Sequence, residues 1–295
     1  MKEENLFIET TINEWRDIFK IDEKFIKQFL YRGQGNKDWL ISSSIERLVS
    51  RLFPNFIDKD LLPSQESEMI KEFQWKSKLF NINGLKKEDY IEWLAIMQHY
   101  GACTRLIDFT DSFFVAAHMA IYESSTDASI WCINKNSLII NTFEHYKKNV
   151  QAVNTIGNDI LNEYSLDVAN DMIKNSFNID EKGILLIRPK NINERLYRQQ
   201  GIFLMSQNIK VPFMENLESL INNINPQNID FDKFTQLSKK SGQRLIGLLK
   251  INVPRHIHTN IIRNLREMNI NSELLFPGIE GLAKSLNYND FNSVL

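Results

Sequence analysis

Phe29-Leu30-Tyr31-Arg32-Gly33-Gln34 is an apolar run that meets an arginine and then a turn former, with a second glycine at Gly35. It reads as a β-strand ended by its glycines. Upstream, apolar residues at Ile12, Trp15, Ile18 and Phe19 predict one helix over Thr11 to Phe29. Downstream, Ser43 followed three residues later by Glu46 is a capping box, which predicts a helix that ends before Pro54. Pro63-Ser64 opens the next, with Met69, Ile70, Phe73, Ser77 and Phe80 along its inner face. A further helix is expected from Asp89 to Tyr100, with Gly101 as its C′ residue.

Farther along, Asp111 can cap a helix over Ser112 to Glu123 that is apolar almost all round and therefore buried. β-like runs follow at Ser129 to Ile133, Ile184 to Ile187, Ile202 to Met205 and Leu245 to Val253. Between the first two, a polar Asn-rich region carries a helix expected over Asp159 to Phe177. Helices are also expected over Thr259 to Met268, after Pro254, and beyond Gly278. No repeat or linker divides the chain. The expected architecture is one α+β domain over 1–295, helix-rich in its N-terminal half, around a mixed or antiparallel sheet.

The 295 residues are 43% hydrophobic and 24% charged, which excludes a disordered or fibrous chain. Lys and Arg total 35 against 37 Asp and Glu, for a net charge of −2. A general nucleic-acid coat or polybasic membrane binder is thereby disfavoured, and any nucleic-acid contact would be local. Met1 to Thr10 has three glutamates and no signal-peptide pattern, and the most apolar stretch, Phe113 to Tyr122, is too short to span a bilayer. A soluble cytoplasmic protein without membrane contact is expected. Cys103 and Cys132 make no disulfide framework, and no Cys/His spacing suggests a metal.

Common catalytic motifs are absent. Gly33-Gln34-Gly35 begins like a dinucleotide fingerprint, but Asp38 stands at the third glycine position. Four segments instead concentrate polar residues in apolar surroundings. In the first, Arg32 ends a hydrophobic strand, where it can grip a phosphate or pair with a carboxylate such as Asp38. The second, Gln98 to Thr110, packs His99, Tyr100, Thr104, Arg105 and Asp108 between two buried helices. A core accepts such groups only when they satisfy one another, for example Arg105 with Asp108, or a ligand. Cys103 has no base beside it and is read as an ordinary thiol. The third, Arg195 to Phe203, is a basic, amide-rich turn with Arg198, Gln199 and Gln200, suited to phosphate or base edges unless it is merely solvated. In the fourth, Leu275 to Ala283, Glu280 sits in a first helical turn, where a carboxylate suits the helix dipole as well as catalysis.

Together these segments resemble the FRG domain family, named for the Phe/Tyr-Arg-Gly motif seen as Tyr31-Arg32-Gly33. The family's His-Tyr-Gly-x-x-Thr-Arg-Leu-Leu-Asp-x-Thr stretch is matched from His99 to Thr110, with Ile107 for Leu. Its Arg-x-x-x-Gln-x-Gly-x-Phe element is matched by Arg195, Gln199, Gly201 and Phe203. Its Leu-Phe-Pro-Asp-Leu-Asp-Gly-Leu-Ala ending is matched from Leu275 to Ala283, with Gly278 and Glu280 in place of the two Asp. The resemblance covers about residues 29 to 287.

The Tyr-Arg-Gly strand is similar to the arginine strand of Arg-Ser-Glu-type ADP-ribosyltransferases, where that arginine holds NAD. What this resemblance implies is an ADP-ribosyltransferase-like fold and a toxin- or defence-type enzyme. It would use NAD as substrate and modify an intracellular macromolecule, RNA in preference to protein, with an antitoxin protein among candidate partners. Arg32 would clamp the pyrophosphate, with Arg105 or Arg195 as second cation. Tyr31 or Tyr100 would stack on nicotinamide, Gln34 and Thr104 would line its pocket, and His99 would bond the ribose. Asp108 and Glu280 are the candidate carboxylates, and Arg195, Arg198, Gln199 and Gln200 the acceptor edge. The usual Glu-x-Glu or Gln-x-Glu motif is missing, since Gln199-Gln200-Gly201 stands in its region. A non-catalytic nucleotide- or partner-binding module is the alternative, and a hydrolase or nuclease using His99 and Asp108 is the third.

Overall fold

β1 (Ile8–Thr11) leads into a 3-10 turn, Trp15–Lys20, and a single helical turn, α1 (Glu23–Ile26). The continuous helix expected over this stretch does not form. The Asp17 carboxylate accepts the backbone N–H groups of Asn13 and Glu14 at 2.7 and 3.0 Å and also binds Lys20. With Glu14 it completes a capping box that opens the short 3-10 turn at Trp15, and the extended Ile21 ends that turn before α1, so the stretch is divided rather than continuous. Ile12, Trp15 and Ile18 are nevertheless buried, while Phe19 is exposed. The computed structural model describes residues 7–21, 23–53, 59–80, 82, 84–140, 158–175, 181–191, 193–221, 228–239 and 247–289.

β2 (Phe29–Gln34) is the expected strand, and α2 (Ser44–Leu52) opens on the expected capping box. Ser43 Oγ accepts the Glu46 N–H at 3.2 Å, and Glu46 accepts the Ser43 N–H at 3.1 Å. α3 (Leu62–Lys76) carries Pro63 in its first turn and passes into a 3-10 turn, Ser77–Phe80. That tighter turn moves Phe80 out of line, leaving it exposed although Ile70 and Ser77 are buried. α4 (Tyr90–His99) stops at Gly101, whose φ of +90° is the left-handed conformation glycine favours.

The segment after α4 contains a strand the sequence reading left as a connection, β3 (Leu106–Thr110). α5 (Phe113–Ile121) is capped by Ser112, whose hydroxyl accepts the Val115 N–H at 3.3 Å. Asp111, the expected cap, lies instead between Lys135 and Arg188 at 2.6 and 3.1 Å. The rest comprises β4 (Ala128–Asn134), α6 (Asn158–Lys174), β5 (Ile184–Ile187), α7 (Glu194–Arg198), β6 (Gly201–Ser206), α8 (Phe213–Glu218) and α9 (Phe231–Lys239). β7 (Leu248–Val253), α10 (His258–Glu267), α11 (Ser272–Leu275) and α12 (Ile279–Asn289) complete it. The ends expected at Phe177 and Leu245 lie outside the described residues.

The seven strands form one sheet in the order β1-β7-β4-β2-β3-β6-β5, antiparallel except for the parallel β1–β7 pair. The α+β class with a mixed sheet is thus what forms. Helices do not simply precede strands, since β1, β2 and β3 come from the first 110 residues. One face of the β1, β7, β4 and β2 half packs on α5, α9 and α10 through Phe29, Tyr31, Phe113, Phe234 and Ile261. Beyond β3, α3, α4 and α6 pack on Leu106, Leu185, Phe203 and Met205. The opposite face buries Leu30, Ile107, Phe109, Trp131 and Phe213.

Gly33 sets how closely α5 lies on β2. A Cβ there would stand 2.1 Å from the Ala116 carbonyl and 2.4 Å from the Ala120 nitrogen, so any side chain would push the helix off the sheet. The sheet is also uneven. β2 pairs with β4 over all six of its residues, and β3 pairs with β6 over all five of its own. Between β2 and β3 only Tyr31 and Thr110 are paired. The two strands diverge from that point, and the sheet opens in its middle. Among the described residues, no helix is long and apolar enough to cross a membrane.

Candidate functional site at the opening between β2 and β3

Alternation along β2 sends Tyr31 to one face and Arg32 to the other. Arg32 is half-buried, and its Nη1 donates to the main-chain carbonyl of Asp108 at 2.8 Å, an acceptor that the divergence of β2 and β3 leaves available. Its Nε is buried and has no hydrogen-bond partner among the described residues. Asp38, considered as a partner for Arg32, receives no bond from it. Burial lowers the pKa of the Arg32 guanidinium; Asp108 opposes that shift and the like charge of Arg47 adds to it.

A short polar chain positions Asp108. The Gln98 amide at the end of α4 donates to Asp108 Oδ2 at 2.8 Å and accepts from the buried Thr104 hydroxyl at 2.6 Å. Thr104 is in turn tied to the start of α2: its N–H donates to Ser44 Oγ at 2.9 Å, and its carbonyl accepts from the Ser44 hydroxyl at 3.1 Å. Asp108 itself is exposed on β3.

Gln98 and Asp108 form a wall shared by two clefts. On one side a cavity of about 180 Å³ is lined by Arg32, Ser42, Ser44, Arg47, Gln98 and Asp108. On the other a cavity of about 100 Å³ is lined by Gln98, His99, Asp108, Arg195, Gln199 and Phe203. Arg195 lies 5.1 Å over the Phe276 ring. The Gln199 side-chain amide donates to the Leu275 carbonyl at 3.0 Å, and the Gln199 main-chain carbonyl accepts from the Thr110 hydroxyl at 2.7 Å, which locks α7 to β3 and α11. Glu280, at the start of α12, is exposed and paired with Lys284 at 2.8 Å. That lysine is the chief cause of its lowered pKa, and Arg195 and His99 are near enough to contribute.

Six of the residues nominated from sequence therefore gather around this opening: Arg32, His99, Asp108, Arg195 and Gln199 in the clefts, and Glu280 on their rim. Tyr100 stands beside them, 72% exposed, with its ring edge-on to His99 at 5.0 Å. The others point elsewhere. Tyr31 is packed edge-to-face on Phe113, its hydroxyl donating to the Ile26 carbonyl, so it is a core residue and not a stacking platform. Gln34 is buried and accepts from the Trp131 indole at 2.9 Å. Arg105 is buried against Glu66 of α3, its Nε 2.7 Å from Oε2, which makes Glu66 rather than Asp108 its partner and removes it as second cation. Thr104 acts through Gln98, without facing either cleft. Arg198 is engaged by Glu194 at 2.6 Å and by the Leu274 carbonyl at 3.0 Å. Gln200 is exposed at a turn with φ +46°, where its carbonyl accepts the Asp111 N–H at 3.0 Å.

Two participants were missed. Gln98 opens the polar segment singled out in the sequence but was given no role there, and a polar amide closing an otherwise apolar helix is its signal. Arg47 follows the capping box of α2, and nothing in its neighbourhood in sequence indicates that it faces Arg32. Among the described residues no group of three or more His, Cys, Asp or Glu is arranged to hold a metal ion.

A polar double cleft at an opening in a mixed sheet, walled by one arginine strand and one Asp strand, is the feature that defines this molecule. Residues 27–129 match the model of the FRG domain, and the chain therefore carries an FRG domain over that span. The match includes Arg32, Arg47, Gln98, His99 and Asp108, while Arg195, Gln199 and Glu280 come from outside it. No curated protein and no solved structure matches the chain.

Proposed function

We propose that this cleft binds NAD and that the protein transfers ADP-ribose from it to an intracellular macromolecule, RNA in preference to protein, in the manner of a toxin or defence effector. The observation that carries the reading is the meeting of Arg32 with Asp108 at the sheet opening. A half-buried guanidinium with one donor unspent suits a phosphate, and an exposed, positioned carboxylate beside it suits ribose hydroxyls. In the transfer, the C1′–N bond to nicotinamide breaks and its electron pair leaves with the nicotinamide. The acceptor atom bonds to C1′ and releases its proton to a base. The C1′ centre is oxocarbenium-like in between, and Asp108, the carboxylate that lines both clefts, would stabilise it. His99, on the acceptor side of the wall, would bond the ribose. Arg195 and the exposed rings of Tyr100 and Tyr197 suit the phosphates and bases of an unpaired RNA segment.

One observation favours the alternative of a non-catalytic nucleotide-binding module: Glu280 is held at the surface by Lys284 and does not line either cleft. Calorimetry with NAD and ADP-ribose, run beside an assay for free nicotinamide, separates the two. Binding with nicotinamide release supports transfer, binding without release supports the module, and no binding of either ligand rejects both.

A further inference from the structure

Three arginines around the site are neutralised by carboxylates: Arg105 by Glu66, Arg188 by Asp111 and Arg198 by Glu194. The two that line the larger cavity are not. Arg32 bonds only a main-chain carbonyl and keeps a buried Nε without a partner among the described residues. Arg47, exposed in the first turns of α2, donates to the main-chain carbonyl of Ser42 at 2.5 Å and lies 3.5 Å from its hydroxyl. No carboxylate stands within ion-pair distance of either guanidinium among the described residues. Asp108 turns its side chain to Gln98 and offers Arg32 only its backbone.

Two like charges facing one cavity repel each other, and neither is held in an ion pair by a carboxylate among the described residues, Asp108 easing the charge of Arg32 only from a distance. They come from different elements, β2 and α2, so each can take a separate anionic group in a bidentate contact. The cavity, at about 180 Å³, exceeds the roughly 150 Å³ known to admit a benzene-sized guest. A single phosphate would satisfy one fork; two linked phosphates would satisfy both.

Resting on the NAD reading, we propose that Arg47 is the second arm of a clamp with Arg32 for the pyrophosphate of a dinucleotide, taking the place in the sequence-based expectation that Arg105 cannot fill. Arg195, across the Gln98–Asp108 wall, is then left for the acceptor.

The test is calorimetry on the full chain with inorganic pyrophosphate, inorganic phosphate and ADP-ribose, comparing the native protein with Arg47→Ala, Arg32→Lys and the exposed control Arg51→Ala. A hydrogen bond to a charged group is worth about 1.5–3 kcal/mol, or about tenfold and more in affinity. The clamp predicts that pyrophosphate binds at least about tenfold tighter than phosphate, and that Arg47→Ala removes this preference while Arg51→Ala keeps it. Arg47→Ala should weaken ADP-ribose to a similar degree. Equal binding of the two anions, no pyrophosphate binding, or an unchanged preference in Arg47→Ala would overturn the clamp. If pyrophosphate requires both arginines but ADP-ribose does not bind, the clamp stands and the NAD reading falls.

Discussion

Arg32 and Asp108 meet across the middle of the sheet, Nη1 of one donating at 2.8 Å to the carbonyl of the other, although 76 positions separate them in the chain. The contact exists because β2 and β3 share a single paired position and then diverge. A continuous ladder there would consume the Asp108 carbonyl and close both clefts. The site is therefore a consequence of incomplete pairing at the centre of an otherwise regular sheet, and several measurable properties follow from the residues that maintain it.

Gln98 holds Asp108 by a 2.8 Å hydrogen bond, which makes it a positioning residue. Replacing it with glutamate sets a second carboxylate against the first, and like charges at that distance raise the carboxyl pKa. The acid limb of the rate–pH profile of Gln98→Glu should move to higher pH by about a unit or more. An unmoved limb would show that Asp108 does not act as an ionised carboxylate in the reaction.

Gly33 is dictated by α5, whose backbone approaches within 2.1 Å of where a Cβ would stand. Overpacking costs about 1–3 kcal/mol when side chains can yield. Here the obstacle is backbone, so Gly33→Ala should lose at least about 3 kcal/mol in urea unfolding. A loss below about 1 kcal/mol would mean that α5 can shift freely over β2.

The Arg105–Glu66 pair is buried on both sides, with side chains 4% and 2% exposed. Removing one partner strands a charge, a change that costs about 3–5 kcal/mol. Glu66→Ala should show such a loss by chemical denaturation. The folded fraction should still bind NAD with native affinity, since neither residue lines the clefts. Weakened binding in folded Glu66→Ala would return Arg105 to the site.

His118 of α5 is buried beneath α11, its Nδ1 without a partner among the described residues and its Nε2 3.4 Å from Ser272 Oγ. Burial pushes its pKa down to about 4, so the folded protein keeps it neutral where the unfolded chain, near the ordinary value of about 6.5, takes up a proton. Its contribution is complete above the unfolded pKa and declines as the pH falls through 6 toward 4. Between pH 7 and pH 5 the protein should lose about 2 kcal/mol from this group, and His118→Gln should flatten that part of the curve. Equal pH slopes in the two proteins would contradict the assignment.

Much of this was legible in the chain, and the misses have physical causes. The capping box at Ser43 and Glu46 and the glycine stop at Gly101 are local chemistry, and both formed as read. β3 was missed because its five residues carry Asp108 and Thr110, and only the lattice of neighbouring strands makes them a strand. The helix expected over 11–29 is divided, because Thr11 belongs to β1, the Glu14–Asp17 capping box starts a separate 3-10 turn and the extended Ile21 ends it, breaks that apolar spacing does not register. Arg32, His99, Asp108, Arg195 and Gln199 stand out in the sequence because polar groups in apolar runs require partners, and the fold gathers them at one opening. Arg105 shows the limit of that inference, since its partner is a glutamate on α3, 39 positions away. Arg47 sits on an ordinary helical turn, and its role depends on a neighbour visible only in three dimensions.

The central claim is tested most directly by incubating the protein with biotinylated NAD and total cell lysate, with and without RNase, beside Arg32→Lys. The lysine variant keeps the charge but loses the fork and its Nε. The proposal predicts label in the native sample that RNase removes, and a loss of at least about tenfold in Arg32→Lys. RNase-resistant label that still requires Arg32 would keep the transferase and move its acceptor to protein. No label at all, or label undiminished in Arg32→Lys, would contradict the account of this cleft as an ADP-ribosyl transfer site.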